Sequence, residues 1–213
     1  MTGPLELTKR PKAVRRGLRI GAWLLGASTA CACQHSQPNA PPTEKEPEHP
    51  PTLHELLPLK DKTVSSFEMS SDLSETGLLV LEIFRPREEL AELTIAGSTT
   101  RLLVDEQRIT LATGGTLLQT PLRVGATFMG SFGTTTITHV NATVELPIGT
   151  LKHCLTTVEE ATRPPKRSES TYCPGIGLAH LVVESFGSQD AGRVETRLTD
   201  HGPRYDVREQ PDW

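Results

Sequence analysis

From Thr63 onward the chain is cut into short apolar and β-branched runs, none of which keeps helical spacing long enough to bury a helix face. The first group is Val64 to Met69, Leu78 to Phe84, Leu93 to Ala96, Arg101 to Val104, Arg108 to Ala112 and Thr116 to Leu122. Gly77, Gly97, Asp105-Glu106, Gly114-Gly115 and Pro121 fall between these runs or at their ends, as tight antiparallel connections require. The second group is Phe128 to Phe132, Thr134 to Asn141, Ala142 to Leu146, the segments 151 to 159, 168 to 173 and 178 to 186, and Arg193 to Thr199. About ten to twelve strands in ~140 residues predict an all-β domain, with a curved antiparallel sheet in the form of a half-barrel, barrel or sandwich. Arg87 to Leu93, behind Pro86, is the one helix candidate, and a loop joining two strands is its alternative.

The best-defined part of this pattern is the stretch from Thr150 to Val183, which holds two of the four cysteines. Arg163-Pro164-Pro165-Lys166 reads as a turn between two strands, and a hairpin centred there sets Cys154 opposite Cys173. Pro174-Gly175-Ile176-Gly177 forms the next turn, with a pre-set φ at Pro174 and glycines free to take positive φ. A period of two puts Leu151, Leu155, Tyr172, Ala179, Leu181 and Val183 on one face, read as the core face. Cys154, Thr156, Val158, Thr171, Cys173, Leu178, His180 and Val182 fall on the other.

Cys154, Cys173 and His180 would suit a soft metal if the thiols stayed reduced, but in an oxidising compartment opposed cysteines form a disulfide, which is the reading adopted. His153 points away from Cys154, while His139 and His201 have no partner in sequence reach. Glu159-Glu160 reads as a solvated strand end, because adjacent strand residues face opposite sides. Gly175-Ile176-Gly177 lacks the helix and third glycine of a phosphate cradle. Asn141-Ala142-Thr143 matches a glycosylation acceptor.

Ahead of the strands, Lys9, Arg10, Lys12, Arg15, Arg16 and Arg19 precede an apolar run from Ile20 to Ala30 that ends in small residues before Cys31. This is the order of a secretory signal, and the run is far short of the ~20 residues a membrane-spanning helix needs. Ser28-Thr29-Ala30-Cys31 resembles a bacterial lipobox with Ser28 in place of the usual Leu, which implies lipidation of Cys31. A freely secreted protein is the alternative. Ala32, and not Asp, follows the cysteine, and by resemblance to lipoprotein sorting signals this implies the outer membrane, facing the periplasm. Cys33 is then an odd thiol.

Residues 34 to 52 are rich in Pro, Gln, Glu and Lys and read as a disordered spacer, in which His35 and His49, with His54 just beyond, lack the spacing of a metal tract. Leu53 to Leu59 either forms a short helix or joins spacer to domain. The chain thus divides into a signal peptide (1–30), a lipidated cysteine with its tether (31–60), a β domain (61–200) and a flexible tail (201–213).

Leu122-Arg123-Val124-Gly125-Ala126-Thr127-Phe128, Val144-Glu145-Leu146-Pro147-Ile148-Gly149-Thr150-Leu151 and Thr171-Tyr172-Cys173-Pro174-Gly175-Ile176-Gly177-Leu178 occur in that order. Together they resemble a recurring, uncharacterised domain of bacterial envelope lipoproteins, similar to the carriers that hold lipoproteins in a curved antiparallel half-barrel. The resemblance implies a fold and a compartment and carries no catalytic residue.

The net charge of −4 and the 4% aromatic content argue against nucleic-acid partners. No nucleophile elbow, P-loop or zincin helix is present, so the expectation is a non-enzymatic protein without cofactor or metal. Three classes remain: a tethered protein that binds an apolar ligand or an envelope protein, a structural or assembly lipoprotein, and a hydrolase with a dispersed site. A continuous apolar concavity of several hundred Å3, on the order of a small-molecule site, favours the first class, and a core filled by side chains favours the second.

Overall fold

The alternating runs pair into one sheet in the computed structural model, which describes residues 50–72, 76–187 and 191–204. One short helix, α1 (Leu53–Leu56), precedes twelve strands. These are β1 (Thr63–Ser71), β2 (Thr76–Arg87), β3 (Leu90–Ile95), β4 (Ser98–Val104), β5 (Arg108–Leu111), β6 (Thr116–Gln119), β7 (Thr127–Met129), β8 (Thr134–Leu146), β9 (Gly149–Thr162), β10 (Pro165–Cys173), β11 (Gly177–Ser185) and β12 (Gly192–Pro203). The fold is all-β and antiparallel, in the order β6-β5-β4-β3-β2-β1-β12-β11-β10-β9-β8-β7. Strand twist, with bulges at Ser66/Phe67, Thr171/Tyr172 and along β8, curls the sheet until it is nearly closed and barrel-shaped. The two ends of the sheet come together at Gly115 and Gly130, where a Cβ on Gly115 would lie 2.6 Å from the Gly130 carbonyl oxygen.

Alternation along each strand separates the inside from the outside. Thr63, Ser65 and Phe67 of β1, Leu81 and Ile83 of β2, Leu102 and Val104 of β4, and Thr196 and Leu198 of β12 are buried inside. Outside, Arg167 bonds Glu169 at 2.8 Å and Glu184 at 3.4 Å, Arg193 bonds Glu195 at 2.9 Å, and Arg197 reaches Glu68 at 3.4 Å. Arg197 also donates to the Glu145 carbonyl, and the Ile148 amide reaches the Leu198 carbonyl, so the tip of the β8–β9 hairpin folds back over the outside of β12.

Three expectations change. Arg87 to Leu93 is not helical: Glu88 and Glu89 turn the chain, and Leu90–Ile95 takes ladder bonds from β2 on one side and β4 on the other, with Ala91 fully buried. Pairing on both sides and burial of Ala91 outweigh the high helical propensity of Arg, Glu, Leu and Ala. The tether boundary at residue 60 moves toward the N-terminus, because Leu53, Leu56, Leu57 and Leu59 all belong to the core. Thr52 caps α1 in a reciprocal capping box with Glu55. The strand read as ending near Thr199 runs on to Pro203, because Thr63 and Val64 of β1 pair with Pro203 and Gly202. The signal segment, Cys31, Cys33, the spacer to residue 49 and residues 205–213 lie outside the described residues.

A candidate ligand cavity inside the barrel

The β9–β10–β11 meander carries the sequence-predicted site residues and forms one wall of the barrel. Cys154 and Cys173 are joined as a disulfide, 0% and 1% exposed, on the face opposite Tyr172. Pro174, Gly175 and Ile176 make the turn into β11, and Gly175 and Gly177 hold φ of 77° and 98°, values that favour glycine. The Gly175 amide donates to the Glu55 carbonyl at 2.7 Å, so this turn holds α1 across one end of the barrel.

His180 does not join the cysteines. It pairs with Glu195 at 3.0 Å on the outside, and the hydrogen bond from His180 is the main cause that holds the Glu195 carboxyl below its usual range. His153 and Asn141, both at positive φ, hydrogen-bond to each other across the β8–β9 bulge. His139 bonds the neighbouring Thr138, and His201 contacts Ser65 Oγ at 2.9 Å. Burial, and then the charge of Lys60, lower the His201 pKa below its ordinary value.

The inner face is where the sequence reading needs most correction. The bulge at Thr171/Tyr172 pairs Tyr172 with Leu178 and so turns Leu178 inward, away from the face shared by His180 and the cysteines. Glu159 is not a solvated strand end. Its Oε1 accepts from the amides of Phe132 at 2.6 Å and Gly133 at 2.8 Å, and its Oε2 accepts from Ser131 Oγ at 3.2 Å. Gly130 has no side chain there because a Cβ would stand 2.4 Å from both Glu159 Oε1 and Thr135 Oγ1. Glu160 faces out, 3.7 Å from Arg167.

Two adjoining cavities occupy the interior. The larger, about 410 Å3, is apolar and spans both halves of the sheet. Phe67, Leu81, Ile83, Leu93, Ile95 and Leu111 form one side, and Tyr172, Ile176 and Leu178 the other, with Leu57 and Leu59 at the α1 end. The smaller, about 240 Å3, lies toward the opposite end among Ser131, Thr135, Thr157, Glu159, Ser168 and Ser170. Leu117, Tyr172 and Leu178 line both. Burial pushes the Tyr172 phenol up to about 12, a shift that the Ser170 hydrogen bond opposes and the Glu159 charge reinforces. Among the described residues no three His, Cys, Asp or Glu side chains gather as metal ligands.

No protein-family model matches the chain, and no curated protein does. Among solved structures, a candidate exported protein with a YmcC-like fold from Bacteroides fragilis is similar with a TM-score of 0.47 and 8% identity, over 67% of this chain and 96% of that one. A candidate lipoprotein from Parabacteroides distasonis is similar with a TM-score of 0.45 and 7% identity, over 69% of this chain and 98% of that one.

Proposed function

We propose that the protein is a membrane-tethered envelope lipoprotein that binds an apolar ligand inside its β-barrel and catalyses no reaction. The apolar cavity of about 410 Å3 carries this reading. Left empty, a space of that size would forfeit packing contacts along its lining. Left wet, it would expose leucine and isoleucine walls to water. A purely structural sheet would fill the space with its own side chains. The volume also falls within the range of small-molecule sites, roughly 300–1,000 Å3.

The tether half of the reading is supported by the basic residues from Lys9 to Arg19, the apolar run to Ala30, Cys31 and the Pro-rich segment behind it. Ala32 after the cysteine favours the outer membrane, with the domain on the periplasmic side.

Binding is tested with N-phenyl-1-naphthylamine, a neutral fluorophore whose emission rises in apolar surroundings. The expected result is saturable enhancement at one equivalent, abolished by Leu93→Trp, which fills the cavity from β3. Absence of enhancement in the wild type would return the domain to a structural role. The tether is tested by detergent partition: wild type should enter the detergent phase and Cys31→Ala should not, and equal recovery of both in the aqueous phase would remove the anchor.

A further inference from the structure

The smaller cavity has the chemistry of a head-group site. Thr135 and Thr157 are each 3% exposed and Ser168 is 7% exposed, and all three line it. Their hydroxyls make no hydrogen bond among the described residues. These hydroxyls open onto the cavity and are not sealed off, since Ser71 Oγ is the sealed oxygen without a partner among the described residues, so this wall offers donors and acceptors to a polar ligand.

The charges around them narrow what that partner is. Glu159 is fixed by its three donors, and its Oε2 keeps acceptor capacity toward the space, which welcomes a hydroxyl and repels an anion. Lys166 lies on the same inner face of β10 as Ser168 and Ser170, with its Nζ 4.5 Å from the centroid of the Phe132 ring that lines this cavity. A cationic head would meet that ammonium. A head of either net charge meets one of these two charges with its own sign, which favours a head group without net charge, and the hydroxyl-rich wall donates to and accepts from hydroxyls on it.

We infer that the ligand is a single-chain amphiphile with an uncharged, hydroxyl-bearing head group, its tail in the apolar cavity toward α1 and its head on Thr135, Thr157, Ser168 and Glu159. This rests on the cavity-binding reading above. Leu117, Tyr172 and Leu178, which line both spaces, meet the junction of tail and head.

The experiment displaces N-phenyl-1-naphthylamine from the full protein with three probes of one chain length, kept below their micelle concentrations: monodecanoyl glycerol, decanoate and decyltrimethylammonium. The glycerol ester should bind at least tenfold more tightly than either charged probe. Shortening its chain should weaken it about fourfold per methylene. Thr157→Val and Ser168→Ala should each weaken the ester about fivefold, the worth of one neutral hydrogen bond, while binding of the fluorophore is unchanged.

A charged probe that binds as tightly as the ester, or both variants leaving the ester's affinity unmoved, would overturn the head-group inference. So would a fluorophore that binds and resists displacement by the ester. In each of these outcomes the cavity reading stands, whereas a wild type that binds neither fluorophore nor ester removes both. The ranking of the three probes on wild type needs no variant to fold.

Discussion

At the scale of single residues the interior is held by polar groups whose roles depend on which way they face. Tyr172 is the clearest case, a phenol enclosed between the two cavities with its pKa raised from 10.0 to about 12. Because the folded state favours the neutral phenol, this stabilisation is complete below pH 10 and is lost as the pH rises from 10 through 12. The unfolding free energy from denaturant titrations should fall across that interval by on the order of 2–3 kcal/mol, and Tyr172→Phe should flatten the fall. A wild-type curve no steeper than that of Tyr172→Phe would show that the phenol is not enclosed.

His201 works in the opposite direction. Its depressed pKa adds stability above its ordinary value of 6.5 that is lost as the pH falls below it. The sequence made these parities hard to read. Thr157, Glu159, Ser168 and Ser170 are polar yet face inward, so the alternation of apolar and polar that normally marks the inside fails along this half of β9 and β10. The apolar residues Leu155 and Tyr172 nearby do obey it, and they identified the core face there.

At the scale of elements, α1 matters more than its four residues imply. Leu56 is fully buried and Leu53 is 2% exposed, and the helix is held at both ends, by the Thr52–Glu55 capping box and by the Gly175 amide on the Glu55 carbonyl. Leu56→Ala should cost about 2–5 kcal/mol and Thr52→Ala about 1 kcal/mol, measured by urea unfolding. Losses below about 0.5 kcal/mol for both would mean that α1 is not docked in solution.

The sequence left a short helix and a plain connection both open over Leu53 to Leu59, because leucines this close to a Pro-rich segment fit a linker as well as a plug. Only the barrel end they cover tells the two apart. The hairpins were legible for the opposite reason: each is local, and turn residues such as Gly97, Asp105 and Pro174 stand in the sequence where the chain reverses. Arg87 to Leu93 went astray because charged residues at helical spacing are also what an exposed hairpin corner uses.

At the scale of the barrel, neither the closure of the sheet nor the cavity was visible in the sequence, because both depend on how far twelve strands curl, which no local pattern encodes. The seam is the most exposed part of that geometry. At Gly115, with φ of 94°, a Cβ would meet the backbone of Gly130 and Ser131 at 2.6 Å, and backbone has no rotamer with which to yield. Gly115→Ala should therefore lower stability by about 1–3 kcal/mol and loosen the end that holds the smaller cavity, read as faster amide exchange at residues 130 to 133. An unchanged exchange rate there would show that the two ends of the sheet do not touch.

The pairing of β1 with β12 also sets the order in which this molecule comes into being. β1 waits for β12, eleven strands further along the chain, while each hairpin between them forms from neighbours as soon as it emerges. The apolar cavity takes walls from Ser65 and Phe67 on one side and from Tyr172 to Leu178 on the other, so it has no enclosed volume until the final 12-residue strand docks between β1 and β11. The apolar space therefore closes only once β12 has docked.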